Sequence, residues 1–215
     1  MKAAVLESRG REGLKVRDFP RPEAQPGEAL LRVHAVGLNR VDLYMRDSGV
    51  GITHALPIVQ GVEAAGVIAE VPAGSALKVG RKAILFSNAF CGECRYCRAG
   101  DQTLCMRPAI MGEHRHGTLA EYIAMPAKCF FELPDDADLV SAGALMVAHL
   151  TAWRMLFGKR ALLPSETVLI VGIGGGVAVA ALQLAKLADA KIIVTSSSNT
   201  KIARALAMGA SAGVN

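Results

Sequence analysis

Four cysteines, Cys91, Cys94, Cys97 and Cys105, follow one another as C-x2-C-x2-C-x7-C within fifteen residues. Four thiolates held that closely by one loop can close a tetrahedral shell around a soft divalent cation such as Zn2+. Sulfur at every position leaves no place for substrate or water, so such a zinc staples its segment and does no chemistry on a substrate. Arg95 and Arg98, inside the run, supply positive charge that offsets the thiolates. Two other readings compete. A bacterial iron–sulfur site begins with the same three cysteines, but its fourth follows after three residues and precedes proline; here it follows after seven and precedes Met106. A nucleic-acid-reading zinc ribbon needs two separated knuckles, and this run has one cluster. Cys129, between Lys128 and Phe130, reads as an inert core thiol.

A second pattern lies in Val168-Leu-Ile-Val-Gly172-Ile-Gly174-Gly175-Gly176-Val177-Ala178. A β-branched run followed by clustered glycines and an Ala/Leu-rich run predicts strand, tight loop and helix. Backbone amides at that helix N-terminus can then face a pyrophosphate, which makes Gly174, Gly175, Gly176 and Val177 candidate cofactor contacts. Read as G-x-G-x-x-G, the loop lacks its third glycine in every register. About twenty residues on, a carboxylate binds the ribose hydroxyls of NAD and repels the extra phosphate of NADP. Here Thr195, Ser196, Ser197 and Ser198 offer hydroxyls, and Lys201 a positive charge, which suits a 2′-phosphate and favours NADP(H). The plainer reading is that Ser198 or Asn199 only caps the next helix.

These motifs need elements to hold them. Before residue 138 the sequence is short apolar runs punctuated by Gly, Pro and Asp, which predicts strands over 2–7, 14–17, 29–36, 63–71, 81–86 and 118–125. From Asp138 to Phe157, Leu139, Ala142, Leu145, Met146, His149 and Trp153 fall on one face of a single long helix. Beyond it, strand 167–171, helix 175–188, strand 191–195, a helix capped by Asn199 and ending at Gly209, and a strand at Val214 give the alternation of a parallel α/β sheet. The expected domains are 1–137, mostly β with a metal lobe at 91–105, and 138–215, α/β.

Composition narrows the function. Of 215 residues, 52% are hydrophobic and 20% charged, which excludes a disordered or disulfide-dense chain. Aromatics are 5%, a poor basis for stacking nucleic-acid bases, and the net charge of +5 is scattered, so no nucleic-acid partner is expected. The uncharged stretch Thr167–Ala185 has the length of a membrane span, but four glycines break it, so no membrane partner is expected either. The first residues turn charged at Glu7 before any secretory apolar run, and five cysteines in such a chain point to the reducing cytoplasm.

Together, the cysteine lobe, the glycine loop and the segment Gly61-Val-Glu63-Ala-Ala-Gly66 resemble the medium-chain dehydrogenase/reductase superfamily of zinc-containing alcohol dehydrogenases and quinone oxidoreductases. The resemblance implies a GroES-like β-barrel carrying substrate residues, then a Rossmann domain, with Cys91, Cys94, Cys97 and Cys105 as structural-zinc ligands. It also implies a catalytic zinc held by Cys, His and Cys in alcohol dehydrogenases. At those positions this sequence has Asn39, Val62 and Val147. Asn39-Arg-Val-Asp42-Leu-Tyr44-Met-Arg46 instead resembles the quinone oxidoreductase branch, which uses NADPH and no catalytic metal. The expectation is therefore hydride transfer from NADPH to a quinone or α,β-unsaturated carbonyl, with Asn39 and Tyr44 donating hydrogen bonds to the substrate oxygen and Thr151 near the nicotinamide. Asp42, Glu63, His114, His116 and His149 are expected to be structural.

A dinucleotide sheet has two halves and about six strands, and this chain reaches only its third, so a C-terminally truncated Rossmann domain is expected. That leaves open a non-catalytic, zinc-stapled binding or scaffold protein, and a homo-oligomer.

Overall fold

A computed structural model describes residues 1–47, 51–53 and 55–215 of the chain. Two compact units follow one another, Met1–Met146 and Val147–Asn215. The division falls later than residue 138, because the short helix after Asp138 lies against strands of the first unit.

In the first unit the elements are β1 (Lys2–Leu6), β2 (Leu14–Asp18), β3 (Glu28–Val36), α1 (Arg40–Asp47), β4 (Ile58–Val59), β5 (Ala64–Glu70), β6 (Lys82–Leu85), β7 (Asn88–Ala89), α2 (Arg95–Arg98), β8 (Ala109–Ile110), β9 (Tyr122–Pro126), β10 (Phe130–Glu132) and α3 (Leu139–Ala142). An antiparallel sheet of order β10-β6-β5-β3-β9 and a smaller sheet of order β2-β1-β4 form the barrel. Leu31, Ile68, Leu85, Met111 and Met125 are fully buried at its core. Each such side chain contributes roughly 1.5–3 kcal/mol by leaving water. Gly66 lets β5 run close to β3: a Cβ there would lie 2.1 Å from the Arg32 carbonyl oxygen.

The second unit holds α4 (Met146–Phe157, whose first residue belongs to the first unit), β11 (Thr167–Ile170), α5 (Gly176–Leu187), β12 (Lys191–Thr195), α6 (Asn199–Met208) and β13 (Ala212–Val214). Its sheet is parallel, of order β11-β12-β13. Ala180, Ala181 and Ala185 on α5 are buried in one cluster with Ile192 and Val194 of β12. Small side chains on the helix bring it close to the sheet. This is the barrel followed by a partial Rossmann sheet that the sequence predicts. Among the described residues no helix is long and apolar enough to cross a membrane.

Four local expectations are corrected. The helix expected over 138–157 is two, α3 and α4, broken at Gly143–Leu145. Gly143 packs so tightly on Ala35 that a Cβ would meet its atoms at 3.0 Å, and that docking outweighs helical continuity. The helix α1 was not expected in the β-rich half, yet it carries a capping pattern: the Asp42 carboxylate accepts the Asn39 backbone N–H at 2.7 Å. The strand expected from Thr118 starts at Tyr122, because Thr118 is buried and donates its hydroxyl to the Glu63 carbonyl at 2.9 Å. The cap of α6 is Ser198, whose Oγ accepts the Lys201 N–H, and Asn199 is the first helical residue.

Candidate functional site

The cysteine lobe is built on a two-strand clasp. β7 pairs with β8 antiparallel, Ala89 opposite Ala109, and this brings both ends of the intervening loop together. Cys94 caps α2 and Cys97 sits within it, while Cys105 follows a single 3-10 turn. The four Sγ atoms lie within 4.8 Å of one another, with Cys91 and Cys97 at 3.9 Å. A tetrahedron with Zn–S bonds of about 2.3 Å requires sulfurs about 3.8 Å apart. The geometry and the all-sulfur donor set fit zinc, and the four residues form a structural zinc site. Among the described residues this is the one cluster of three or more metal-ligating side chains.

The lobe also supplies donors to its sulfurs. The Cys91 N–H points at Cys105 Sγ (3.3 Å), the Cys94 N–H at Cys91 Sγ (3.4 Å) and the Arg107 N–H at Cys105 Sγ (3.4 Å). Backbone N–H groups of Glu93 and Cys94 hold the Cys91 thiol down to about 6. Burial pushes Cys97 up to about 12. The cation facing Cys91 is Arg107, which also pairs with Glu93. Arg95, expected in that role, instead stacks on Tyr96 and bonds its hydroxyl. Arg107 escaped the sequence reading because it lies outside the cysteine run and reaches back through the fold. Cys129 is fully buried, its thiol pushed up to about 11 by burial, as suits a core residue.

A second group of polar residues gathers in the barrel, where the turn before α1 meets the start of β5. Asn39 Nδ2 donates to Glu63 Oε1 at 2.6 Å, and both Glu63 and Asp42 are buried. Burial pushes Asp42 up to about 6, with the nearby Glu63 carboxylate adding to the rise. Its second oxygen, Oδ1, is buried without a hydrogen bond. Gly37 makes the site: a Cβ there would sit 2.2 Å from Glu63 Oε1. Tyr44 lies on α1, 54% exposed. Asn39, Val62 and Glu63 offer an amide, an aliphatic chain and a carboxylate already holding the amide. That donor set does not assemble a zinc shell.

The third site is the glycine loop of the second unit. Gly172 and Gly174 take positive φ of 76° and 152°, Gly175 caps α5, and Gly176 opens it. The loop is pinned to the end of β12: Gly172 N–H donates to Thr195 Oγ1 at 3.1 Å and Ile173 N–H to the Thr195 carbonyl at 2.8 Å. The Lys201 side chain lies over the loop, its Nζ 3.2 Å from where a Gly174 Cβ would be. Val177 is in the first turn of α5, where backbone N–H groups have no helical partner. Ser196 Oγ accepts the Ser198 N–H and so shapes the turn into α6, whereas Ser197 is exposed. The Thr151 hydroxyl bonds back to the Val147 carbonyl at 2.6 Å within α4.

Three histidines are held by hydrogen bonds. His114 Nδ1 accepts the Ile110 N–H and its Nε2 contacts the Thr53 hydroxyl. His116 Nδ1 accepts the Val59 N–H. His149 Nε2 contacts Gln183.

Residues 25–135 match the alcohol dehydrogenase GroES-like domain family. Over its whole length the chain is 34% identical to an alcohol dehydrogenase of Geobacillus stearothermophilus, of which it covers 63%. The crystal structure of an NAD-dependent alcohol dehydrogenase superposes with a TM-score of 0.94 at 39% identity, over 100% of this chain and 63% of that one. The cobalt- and zinc-bound thermostable alcohol dehydrogenase of Pyrobaculum aerophilum superposes at 0.91 with 32% identity, over 99% of this chain and 65% of that one. The chain belongs to the medium-chain zinc alcohol dehydrogenase family, and spans about two thirds of the length of these relatives.

The similarity corrects the expected chemistry. A quinone or enone reductase working with NADPH and without catalytic zinc was expected from the Asn39–Arg46 segment. The relatives are instead alcohol dehydrogenases, one NAD-dependent by name and one holding zinc and cobalt. Asn39–Arg46 is eight residues, most of them one short helix, whereas the likeness to alcohol dehydrogenases runs the length of the chain.

Proposed function

We propose that this chain supplies the substrate barrel and the first mononucleotide-binding half of an alcohol dehydrogenase-type oxidoreductase, which moves hydride between a nicotinamide dinucleotide and the carbon of an alcohol or carbonyl. The observation that carries the proposal is the glycine loop, pinned by Thr195 and overlain by Lys201 at the head of α5. Such a loop presents unpaired amides and a cation together, the pairing a pyrophosphate or ribose phosphate requires.

The bound dinucleotide supplies the hydride donor or acceptor. The amides of Gly176 and Val177 bind its phosphates, and Lys201 adds a charge-assisted hydrogen bond. Ser196 and Ser197 line the turn beyond β12 where the adenosine ribose is placed. No carboxylate stands in that turn, so the site tolerates NAD and NADP alike. In the barrel, Asn39 keeps one amide hydrogen on Glu63 and offers the other to a substrate oxygen, together with the Tyr44 hydroxyl. Glu63 acts as a positioning residue, fixing the Asn39 amide. The zinc lobe holds its own loop folded and takes no part in hydride transfer.

Calorimetric titration of the 215-residue chain with NAD+ and with ADP-ribose tests the proposal. Both are expected to bind with similar affinity, because the contacts assigned lie on the adenosine diphosphate side. No heat with either ligand overturns it.

A further inference from the structure

A groove of about 510 Å3 opens on the barrel unit between the segment after β2 and the strand β9, lined by Phe19, Pro20, Arg21, Val59, His116 and Tyr122 among others. Its size is that of a small-ligand site. The walls are apolar, with Phe19 packed edge-on against the His116 ring at 4.9 Å and the Arg21 guanidinium stacked 4.2 Å over Tyr122.

Apart from its two acids, the groove is lined by polar groups that can donate, among them His116, Tyr122, Arg21, Gln25 and an Arg115 already paired with Glu28. His116 Nδ1 accepts the Val59 N–H at 3.2 Å, which places the proton of the neutral ring on Nε2 and makes that atom a donor. Burial holds the imidazole below its ordinary pKa, so the neutral form prevails at pH 7. Among the described residues neither His116 Nε2 nor the Tyr122 hydroxyl has a hydrogen-bond partner. Arg21 gives one nitrogen to Glu70 at 2.9 Å and keeps its other N–H groups. Of the two acids in the lining, Glu28 is engaged by Arg115 and by the Gln25 N–H, and Glu23 is exposed.

We infer that this groove is a binding site for a small aromatic or branched monocarboxylate, its carboxylate held by His116 Nε2–H, the Tyr122 hydroxyl and Arg21, and its apolar body laid against Phe19 and Val59. Of the groove's donors these three keep N–H or O–H groups to spare, and Arg21, though paired with Glu70, adds a cation, which favours an anionic acceptor over a neutral or cationic ligand. The site is independent of the hydride-transfer proposal.

The test is titration of the 215-residue chain with phenylacetate, read on the His116 ring carbon and nitrogen resonances. Phenylacetamide serves as the neutral control, and saturating NAD+ as the competitor for the nucleotide site. Phenylacetate is expected to give a saturable His116 shift that NAD+ leaves in place. The amide should bind roughly tenfold more weakly, and Tyr122→Phe, which removes one hydroxyl and preserves the ring stack, should weaken phenylacetate roughly fivefold. His116→Phe should weaken it further; if that variant fails to fold, Tyr122→Phe decides. Absence of a saturable shift, equal affinity for the amide, or unchanged affinity in Tyr122→Phe overturns the inference.

Discussion

Gly37→Ala probes the construction of the barrel site with a single methyl group. Gly37 lies outside the left-handed region, so alanine meets no left-handed strain there and the effect is mainly steric. The new Cβ would lie 2.2 Å from Glu63 Oε1, 2.7 Å from its Cδ and 2.9 Å from Ala144 Cα. Ala144 is main chain and yields little, so the Glu63 carboxylate must move by more than about 1 Å to reach an ordinary contact. That movement breaks the 2.6 Å hydrogen bond from Asn39 Nδ2. A lost hydrogen bond to a buried charge costs about 1.5–3 kcal/mol and overpacking about 1–3 kcal/mol, so the expected destabilisation is about 3–5 kcal/mol. Urea denaturation of wild type and variant measures it. Gly175→Ala, whose Cβ meets nothing within 4 Å, is the control and should change stability by less than about 1 kcal/mol. Combining Gly37→Ala with Glu63→Ala should recover at least about 1 kcal/mol relative to additivity, because the clash partner is gone. A cost below about 1 kcal/mol for Gly37→Ala, or strict additivity, would show that Gly37 does not set the position of the Glu63 carboxylate.

Three further outcomes follow from other parts of the molecule. Asp42, pushed up from 3.8 to about 6, binds a proton in the folded state that the unfolded chain releases earlier; its penalty is absent below about 3.8, grows as pH rises, and is complete above about 6. Asp42→Asn keeps an acceptor for the Asn39 N–H and should stabilise the chain by about 2 kcal/mol at pH ~7.5 and by almost nothing at pH ~4, measured by thermal melts; a pH-independent difference contradicts this. Cys97→Ser should remove bound zinc measured by elemental analysis, lower the melting temperature by roughly 6–12 °C and open residues 91–105 to proteolysis, whereas a chain without zinc but equally resistant would show that the lobe folds on its own. Lys201→Ala should weaken NAD+ roughly tenfold with no loss of stability, since the lysine is exposed; unchanged affinity would place the phosphates elsewhere.

The sequence made some of this legible and hid the rest for physical reasons. The zinc ligands could be read because all four lie in one loop, where spacing along the chain is nearly spacing in space. The parallel sheet could be read because a β-branched run, clustered glycines and an Ala/Leu-rich run follow one another at β11 and α5, and because Gly209, at φ 114°, marks the end of α6. The barrel site could not. Asn39 and Glu63 are 24 residues apart and meet where Gly37, just past the end of β3, leaves room for the Glu63 carboxylate. The break between α3 and α4 was equally invisible, because its cause is Ala35, a residue of another strand. Class of chemistry was the hardest matter: a handful of residues beside α1 pointed to one branch of the family, and the likeness over the whole chain pointed to another.

Central to the proposed function is the glycine loop as the seat of a dinucleotide. Amide nitrogen–proton spectra of the labelled chain, recorded as NAD+ is added, test that at single residues. The largest shifts are expected at Gly174, Gly175, Gly176 and Val177, with Lys201 next and the cysteine lobe unmoved. Shifts scattered over the barrel, or none in the loop at saturating NAD+, would contradict the assignment.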